Sequence, residues 1–476
     1  MFLILINKSS HFKQVVFKIL LLTLVGQTVS ASVKDDNFPK GVVIDTVSCR
    51  ANPKYSYALY LPTSYEETRS FPVIFAFDPM ANGKAEADLF KEAAEKYGYI
   101  LVCSNNSKNG IGENNGLAAE FTVNDALERF RIDLKRIYTA GFSGGSRVAA
   151  MVALKTQVVA GIIGYGAGFP SKDSYTDSDI RGFDYIGLIG KRDFNYPEML
   201  ELEKKLEKSD LNVRLMVSGL RHQYPLKNSI FDAIEWMELN AIKKGLLPKN
   251  EVFIHELFLK RTDTINLLER NGDILETASN LKYLVNDFKG LVDITIFQAK
   301  LDSLLKTEEY AENIQELNAT LQNEIGKIQK LYLASDQVRW QKSFQDSLYT
   351  SWMDETRYYS KLSKKVDKYK QNMAYRILGD IYMIMYEIGD EFYETKNYSA
   401  AINCYKVCVG AMPENWYANY KLACSFALNR NHKSSLKSIE RLIELGTKKR
   451  KFFDSEPAFA RLKDDKRFIE LMNSLE

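Results

Sequence analysis

From about residue 40 to residue 245, short runs of β-branched and aromatic residues alternate with helical stretches and with Gly, Asn and Pro punctuation. That rhythm restricts the fold more than any other feature, because parallel strands need long crossovers between them and helices supply those crossovers. Strands are expected over residues 41–48, 56–61, 73–77, 100–103, 137–140, 161–164, 185–189 and 213–217. Several, such as Val73-Ile74-Phe75-Ala76-Phe77, are apolar without alternation, as strands covered by helices on both faces must be. After Pro248 the punctuation nearly vanishes, and amphipathic helices rich in Leu, Lys, Glu and Tyr follow. The expected fold class is therefore α/β, a mostly parallel sheet followed by an all-α domain, with the change between residues 244 and 250.

The first 31 residues read as a processing signal. Lys8, Lys13 and Lys18 accompany a short apolar run over residues 19–26, and Val29-Ser30-Ala31 offers the small residues a signal peptidase reads. Cleavage after Ala31 is expected, leaving an exported chain, periplasmic or secreted. No cysteine follows the cleavage point to carry a lipid, and no later run reaches the roughly 18 apolar residues that span a bilayer. The net charge of +3 is matched by those three lysines, so the remainder is balanced and nucleic acid is not an expected partner. Five cysteines are an odd number spread over a long chain, not a disulfide scaffold. Cys49 and Cys103 are the pair an oxidising compartment would join, and buried free thiols are the plainer expectation.

Four segments are expected: residues 1–31 as signal, 32–245 as the sheet domain, 246–375 as helical hairpins, and 376–476 as helical repeats with capping helices. The repeat is read from Pro413, taken as the closing proline of a 34-residue helix-turn-helix unit that begins at Tyr382. Ile388, Gly389, Phe392, Ala401, Tyr405 and Cys408 then fall where a tetratricopeptide repeat carries its apolar, small and aromatic residues, so the segment resembles that repeat. A weaker unit from Trp416 keeps Leu422, Ala423, Phe426 and Ser435 but lacks the closing proline. The tail over residues 453–475 resembles the helices that cap such arrays. A buttress and a protein-binding surface are both compatible with this half.

The chemistry concentrates in Gly141-Phe142-Ser143-Gly144-Gly145, which follows the strand ending at Ala140 and precedes the helix-forming run from Val148 to Leu154. A nucleophile on such an elbow has a strained backbone, and small neighbours make room for it. Of four histidines, His11 lies in the signal and His255 and His432 in the helical half, which leaves His222, after the last strand, as the general base. Asp193, in the loop after the preceding strand, is the expected acid. Asp184 is the alternative but starts that strand, and Asp173, Asp177 and Asp179 belong to a polar surface insertion. The order Ser143, Asp193, His222 is the order of α/β-hydrolases. No metal or cofactor is expected: Cys404 and Cys408 lack a completing cluster, and no glycine-rich phosphate loop is present.

With Tyr57-Ala58-Leu59-Tyr60-Leu61-Pro62, Asp133-Leu134-Lys135-Arg136-Ile137-Tyr138 and the elbow on the page, residues 40–245 resemble secreted α/β-hydrolases such as feruloyl esterases and polyhydroxyalkanoate depolymerases. The resemblance covers a little under half the chain and implies an ester substrate, small or polymeric. Those esterases carry His-Gly after the third strand, where this chain has Phe77-Asp78-Pro79-Met80. Proline has no N–H, so the oxyanion donors implied are the backbone amides of Met80 and Gly144. A peptidase on the same triad, and a partner-binding protein with a weak or inactive hydrolase domain, remain the alternatives. Asn-rich residues 104–110, at the same sheet edge as the elbow, are either substrate contacts or a turn.

The signal reading predicts that the exported protein begins at Ser32. N-terminal sequencing checks it, and a mature chain that retains residues 1–31 counts against export.

Overall fold

The computed structural model describes residues 37–110, 114–340 and 344–475, so the expected signal lies outside the described residues. Eight strands form one sheet: β1 (Val43–Ser48), β2 (Ser56–Tyr60), β3 (Phe71–Phe77), β4 (Ile100–Ser104), β5 (Ile132–Phe142), β6 (Gly161–Tyr165), β7 (Asp184–Gly190) and β8 (Val213–Ser218). Their order is β1-β2-β4-β3-β5-β6-β7-β8, with β2 antiparallel to β1 and β4 and all other neighbours parallel. This is the sheet of the α/β-hydrolase fold. Each strand falls on a run read as β from the sequence. β5 starts earlier, because Ile132 is buried and pairs with Phe71 beyond a register shift, which carries the exposed residues before Ile137 into the strand.

Helices supply most crossovers, α1 (Gly83–Tyr97), α2 (Asn115–Arg129), α3 (Gly144–Thr156) and α4 (Tyr196–Leu206), and α5 (Lys227–Lys243) follows the last strand. The Asn82 side chain accepts from the Ala85 amide at the start of α1, and Gly98, at φ 73°, ends it in the left-handed conformation. Every residue of β3, β4 and β6 is buried, which accounts for their unbroken apolar sequence. On one face Ile74, Leu101, Tyr138 and Ile163 of the strands pack with Phe90 of α1 and Trp236 of α5. Between β6 and β7 the polar insertion forms two single turns, at Lys172–Ser174 and Asp177–Asp179, with no buried residue.

The compact unit that contains the sheet does not end where the strands end, near residue 245, but continues to Gln315. It takes in α6 (Glu251–Arg270), α7 (Ile274–Phe288) and α8 (Thr295–Leu304). The physical reason is a polar seam under α7. Arg214 of β8 donates to Asp287 Oδ2 at 2.6 Å, Trp236 Nε1 donates to Asp287 Oδ1 at 2.9 Å, and the Leu215 amide donates to the Tyr283 hydroxyl at 3.2 Å. Arg214 and Asp287 are both buried, so each needs the other to offset its lost hydration.

The second unit runs from Glu316, within α9 (Glu308–Trp340), to the end of the chain. It comprises α10 (Asp346–Leu362), α11 (Lys368–Glu394), α12 (Tyr398–Ala411), α13 (Trp416–Leu428), α14 (His432–Glu444), α15 (Arg450–Ser455) and α16 (Lys466–Asn473). Successive helices from α11 to α14 form hairpins. At the α11–α12 crossing, a Cβ on Gly389 would lie 2.9 Å from the Tyr405 ring and 3.1 Å from Cys404 Cβ, so the small residue read from the repeat pattern is required by contact. Ala401, Tyr405 and Cys408 are fully buried at the same crossing. Arg376 of α11 donates from Nε to both carboxylate oxygens of Glu324 on α9, at 2.8 and 3.0 Å, with both side chains buried. Such a pair fixes which turns of two helices face each other.

All five cysteines are buried and free, so Cys49 and Cys103 are not joined. Among the described residues no helix is long and apolar enough to cross a membrane. Removing one partner of the seam leaves a buried charge unpaired, and Asp287→Ala is therefore expected to destabilise the sheet-bearing unit by about 3 kcal/mol or more. Urea unfolding checks it; a change under about 1 kcal/mol would mean that the seam is dispensable.

Candidate active site

The three residues singled out for nucleophilic chemistry follow three strands that end at one edge of the sheet. Ser143 follows β5, Asp193 follows β7 and His222 follows β8, all at the C-terminal ends of parallel strands. Ser143 has φ 50° and ψ −116°, a region that residues with a side chain rarely occupy. Two close contacts make the turn possible. A Cβ on Gly145 would lie 1.8 Å from the Phe77 carbonyl oxygen, and one on Gly141 would lie 2.4 Å from the Gly145 carbonyl. The Ser143 amide donates to the Tyr165 carbonyl at 2.8 Å, which ties the elbow to β6.

Ser143 Oγ lies 2.9 Å from His222 Nε2, and His222 Nδ1 lies 2.9 and 3.0 Å from the two oxygens of Asp193. Asp193 is 1% exposed, and its Oδ1 also accepts from the Asn195 amide at 2.9 Å. The loops that carry the acid and the histidine are stitched together. Lys191 donates its amide to Ser218, and Arg192 donates its amide to Leu220. Gly190 makes room for that stitch, since a Cβ there would lie 2.0 Å from the Leu220 carbonyl oxygen. The imidazole packs against Phe142 and Phe194, with ring centroids 4.8 and 4.3 Å away. Asp184, the alternative acid, lies at the start of β7 and accepts from Asn212 and Lys244.

Of the two expected oxyanion donors, Gly144 opens α3 with its amide in the first helical turn, next to the serine. Met80 differs from expectation: its amide donates to Asp78 Oδ1 at 2.7 Å and is not free for a substrate. The reason is the carboxylate of Asp78, which also accepts from the Asn82 amide at 3.0 Å and from the Tyr224 hydroxyl, folding the loop after β3 back on itself. Asp78 and Tyr224 thus bind the loop after β3 to the histidine loop, a link sequence reading missed although Asp78-Pro79 and the capping Asn82 carried the turn signal.

A second carboxyl lies behind the elbow. Glu86 of α1 is fully buried and accepts from the Tyr165 hydroxyl, and burial pushes its carboxyl well above the ordinary carboxylate range. It stands behind Tyr165, the residue whose carbonyl holds the Ser143 amide. Among the described residues no cluster of His, Cys, Asp or Glu is grouped as metal ligands.

No family model and no curated protein matches the chain. Among solved structures it is similar to an S-formylglutathione hydrolase from Staphylococcus aureus, at 14% identity and a TM-score of 0.34 over 41% of this chain and 97% of that one. It is also similar to an esterase from Pyrobaculum calidifontis, at 14% identity and a TM-score of 0.35 over 43% of this chain and 87% of that one. A ferulic acid esterase is similar at 16% identity, with a TM-score of 0.34 over 40% of this chain and 94% of that one.

The elbow contacts make a graded prediction. Gly145→Ala meets backbone that cannot move away and should lower the unfolding free energy by more than about 2 kcal/mol, whereas Gly144→Ala meets only the side chain of Asn109 and should fold normally. Thermal unfolding of the two variants checks it; equal melting temperatures would remove the steric account of the motif.

Proposed function

We propose that the chain is an exported serine hydrolase that cleaves carboxylic esters through an acyl-enzyme on Ser143. One observation carries the reading: the serine, the imidazole and a buried carboxylate are joined in series at 2.9 Å per step on a strained elbow. In this mechanism Ser143 Oγ attacks the ester carbonyl carbon while its proton passes to His222 Nε2, and Asp193 stabilises the imidazolium. The charge that collects on the carbonyl oxygen is met by the Gly144 amide. Collapse breaks the bond to the alkoxy oxygen, which leaves with the proton from Nε2. A water activated by the same nitrogen then attacks the acyl carbon and releases the acid and free Ser143.

The resemblance of residues 57–62, 133–138 and 141–145 to secreted esterases favours esters over amides, and the signal-like residues 1–31 favour export. A peptidase would use the same three residues. A second reading, a partner-binding helical protein with a weak or inactive hydrolase unit, has one observation in its favour, the engagement of the Met80 amide by Asp78.

Fluorophosphonate labelling and turnover of p-nitrophenyl esters distinguish these readings. Wild type should label and Ser143→Ala should not. His222→Ala and Ser143→Ala should each lower turnover by roughly 10⁶-fold, without adding when combined, and Asp193→Asn by roughly 10⁴-fold. Labelling that persists in Ser143→Ala, or turnover that survives in His222→Ala, rules out the assignment. No labelling of wild type makes the partner-binding reading the better one.

A further inference from the structure

We propose that the side-chain amide of Asn109 is the second oxyanion donor of this site. The inference rests on the serine-hydrolase reading and deepens it, because that reading leaves the developing charge with the Gly144 amide and no partner donor from the loop after β3. Pro79 has no N–H. The next three amides are all turned toward Asp78: Met80 and Asn82 donate to its Oδ1 at 2.7 and 3.0 Å, and Ala81, at φ 59°, donates to its carbonyl oxygen at 3.3 Å. The loop that supplies an oxyanion amide in similar esterases is therefore spent on its own turn.

The neighbouring loop fills the gap. Residues 104–110 leave the end of β4 and run beside that turn: the Asn109 amide donates to the Pro79 carbonyl at 2.8 Å, and Lys108 pairs with Met80 in an antiparallel bridge. Asn115 of α2 clamps the loop from the other side, accepting from the Lys108 amide at 2.9 Å and donating to its carbonyl at 3.0 Å. This backbone carries the Asn109 carboxamide onto Gly144. A Cβ built on Gly144 would lie 1.9 Å from Asn109 Oδ1, 2.9 Å from Cγ and 3.1 Å from Nδ2. The carboxamide thus lies against the residue whose amide is the first donor.

The loop's other asparagines have structural work. Asn105 donates to the Asp45 carbonyl and Asn106 to the Lys54 carbonyl, whereas the Asn109 carboxamide makes no hydrogen bond with any described residue. A half-turn about Cβ–Cγ exchanges its oxygen and nitrogen without changing the space it fills, so Nδ2 can meet a negative oxygen beside the Gly144 N–H. A side-chain donor aimed at charge that exists only in the transition state raises kcat and leaves KM alone.

The test uses the full chain, with p-nitrophenyl butyrate as substrate and a trifluoromethyl ketone as the probe that forms a stable oxyanion on the serine. Asn109→Ala is expected to lower kcat about 10²-fold with KM within about two-fold of wild type, and to weaken the ketone by a factor similar to the loss in kcat. Asn109→Asp, of the same shape but without a donor and with a negative charge, is expected to lose more than the alanine variant. A purely structural role would instead lower the melting temperature and spare the ratio of ketone affinity to KM. The proposal is overturned if Asn109→Ala keeps kcat within about two-fold while Ser143→Ala is inactive, an outcome that leaves the serine-hydrolase reading intact. If wild type neither labels with fluorophosphonate nor turns over any ester, both readings fall together.

Discussion

Ser143 sits at φ 50°, and little in its own side chain favours that conformation. What holds it is contact on every side: the Phe77 carbonyl against Gly145, the Gly145 backbone against Gly141, and the Tyr165 carbonyl accepting the Ser143 amide. Strain of this kind costs on the order of 1–3 kcal/mol and persists only where the surroundings over-determine it. The central strands β3, β5 and β6 provide those surroundings. Their buried side chains fix the register that brings Phe77, Gly141 and Tyr165 to one edge of the sheet. The serine is aimed by the packing of the sheet, and the two loops that carry Asp193 and His222 need only reach it.

The loops are themselves coupled. The strand ends β7 and β8 place Gly190 against Leu220, so the acid and the base approach through backbone contacts before their side chains meet. Tyr224, two residues beyond the histidine, reaches across to Asp78 in the loop after β3. Asp78 is nearly unexposed and accepts three donors, which offset the cost of burying a carboxylate. A substitution at Asp78 would therefore act on the histidine loop and the loop after β3 at once.

The strands could be read in the sequence because burial on both faces leaves short runs of β-branched and aromatic residues bounded by turn residues, as at Val73–Phe77. Ser143 and His222 were legible for different reasons. The elbow needs glycines at fixed spacing, and the scarcity of histidine left a single eligible base. Asp193 needed the strand end at Gly190 to distinguish it from Asp184. What could not be read was long-range polar pairing. Nothing in the local sequence of α7 says that Asp287 meets Arg214 and Trp236, so the end of the strands looked like the end of a unit that runs to Gln315. Likewise the engagement of the Met80 amide follows from a side chain two residues away, whose alternative as a plain loop carboxylate has the same sequence.

The five thiols show what close packing does to chemistry far from the active site. Cys49, on the sheet side, is pushed up to about 12 by burial, and burial raises Cys103, Cys404, Cys408 and Cys424 as well. A thiol held in its neutral form is a poor nucleophile toward oxidants and alkylating agents. Burial also keeps all five away from reagents in the surrounding solution while the chain is folded. Cys49 and Cys103 lie in one unit and the other three in the second, so each thiol's accessibility reports on the packing of the unit that contains it.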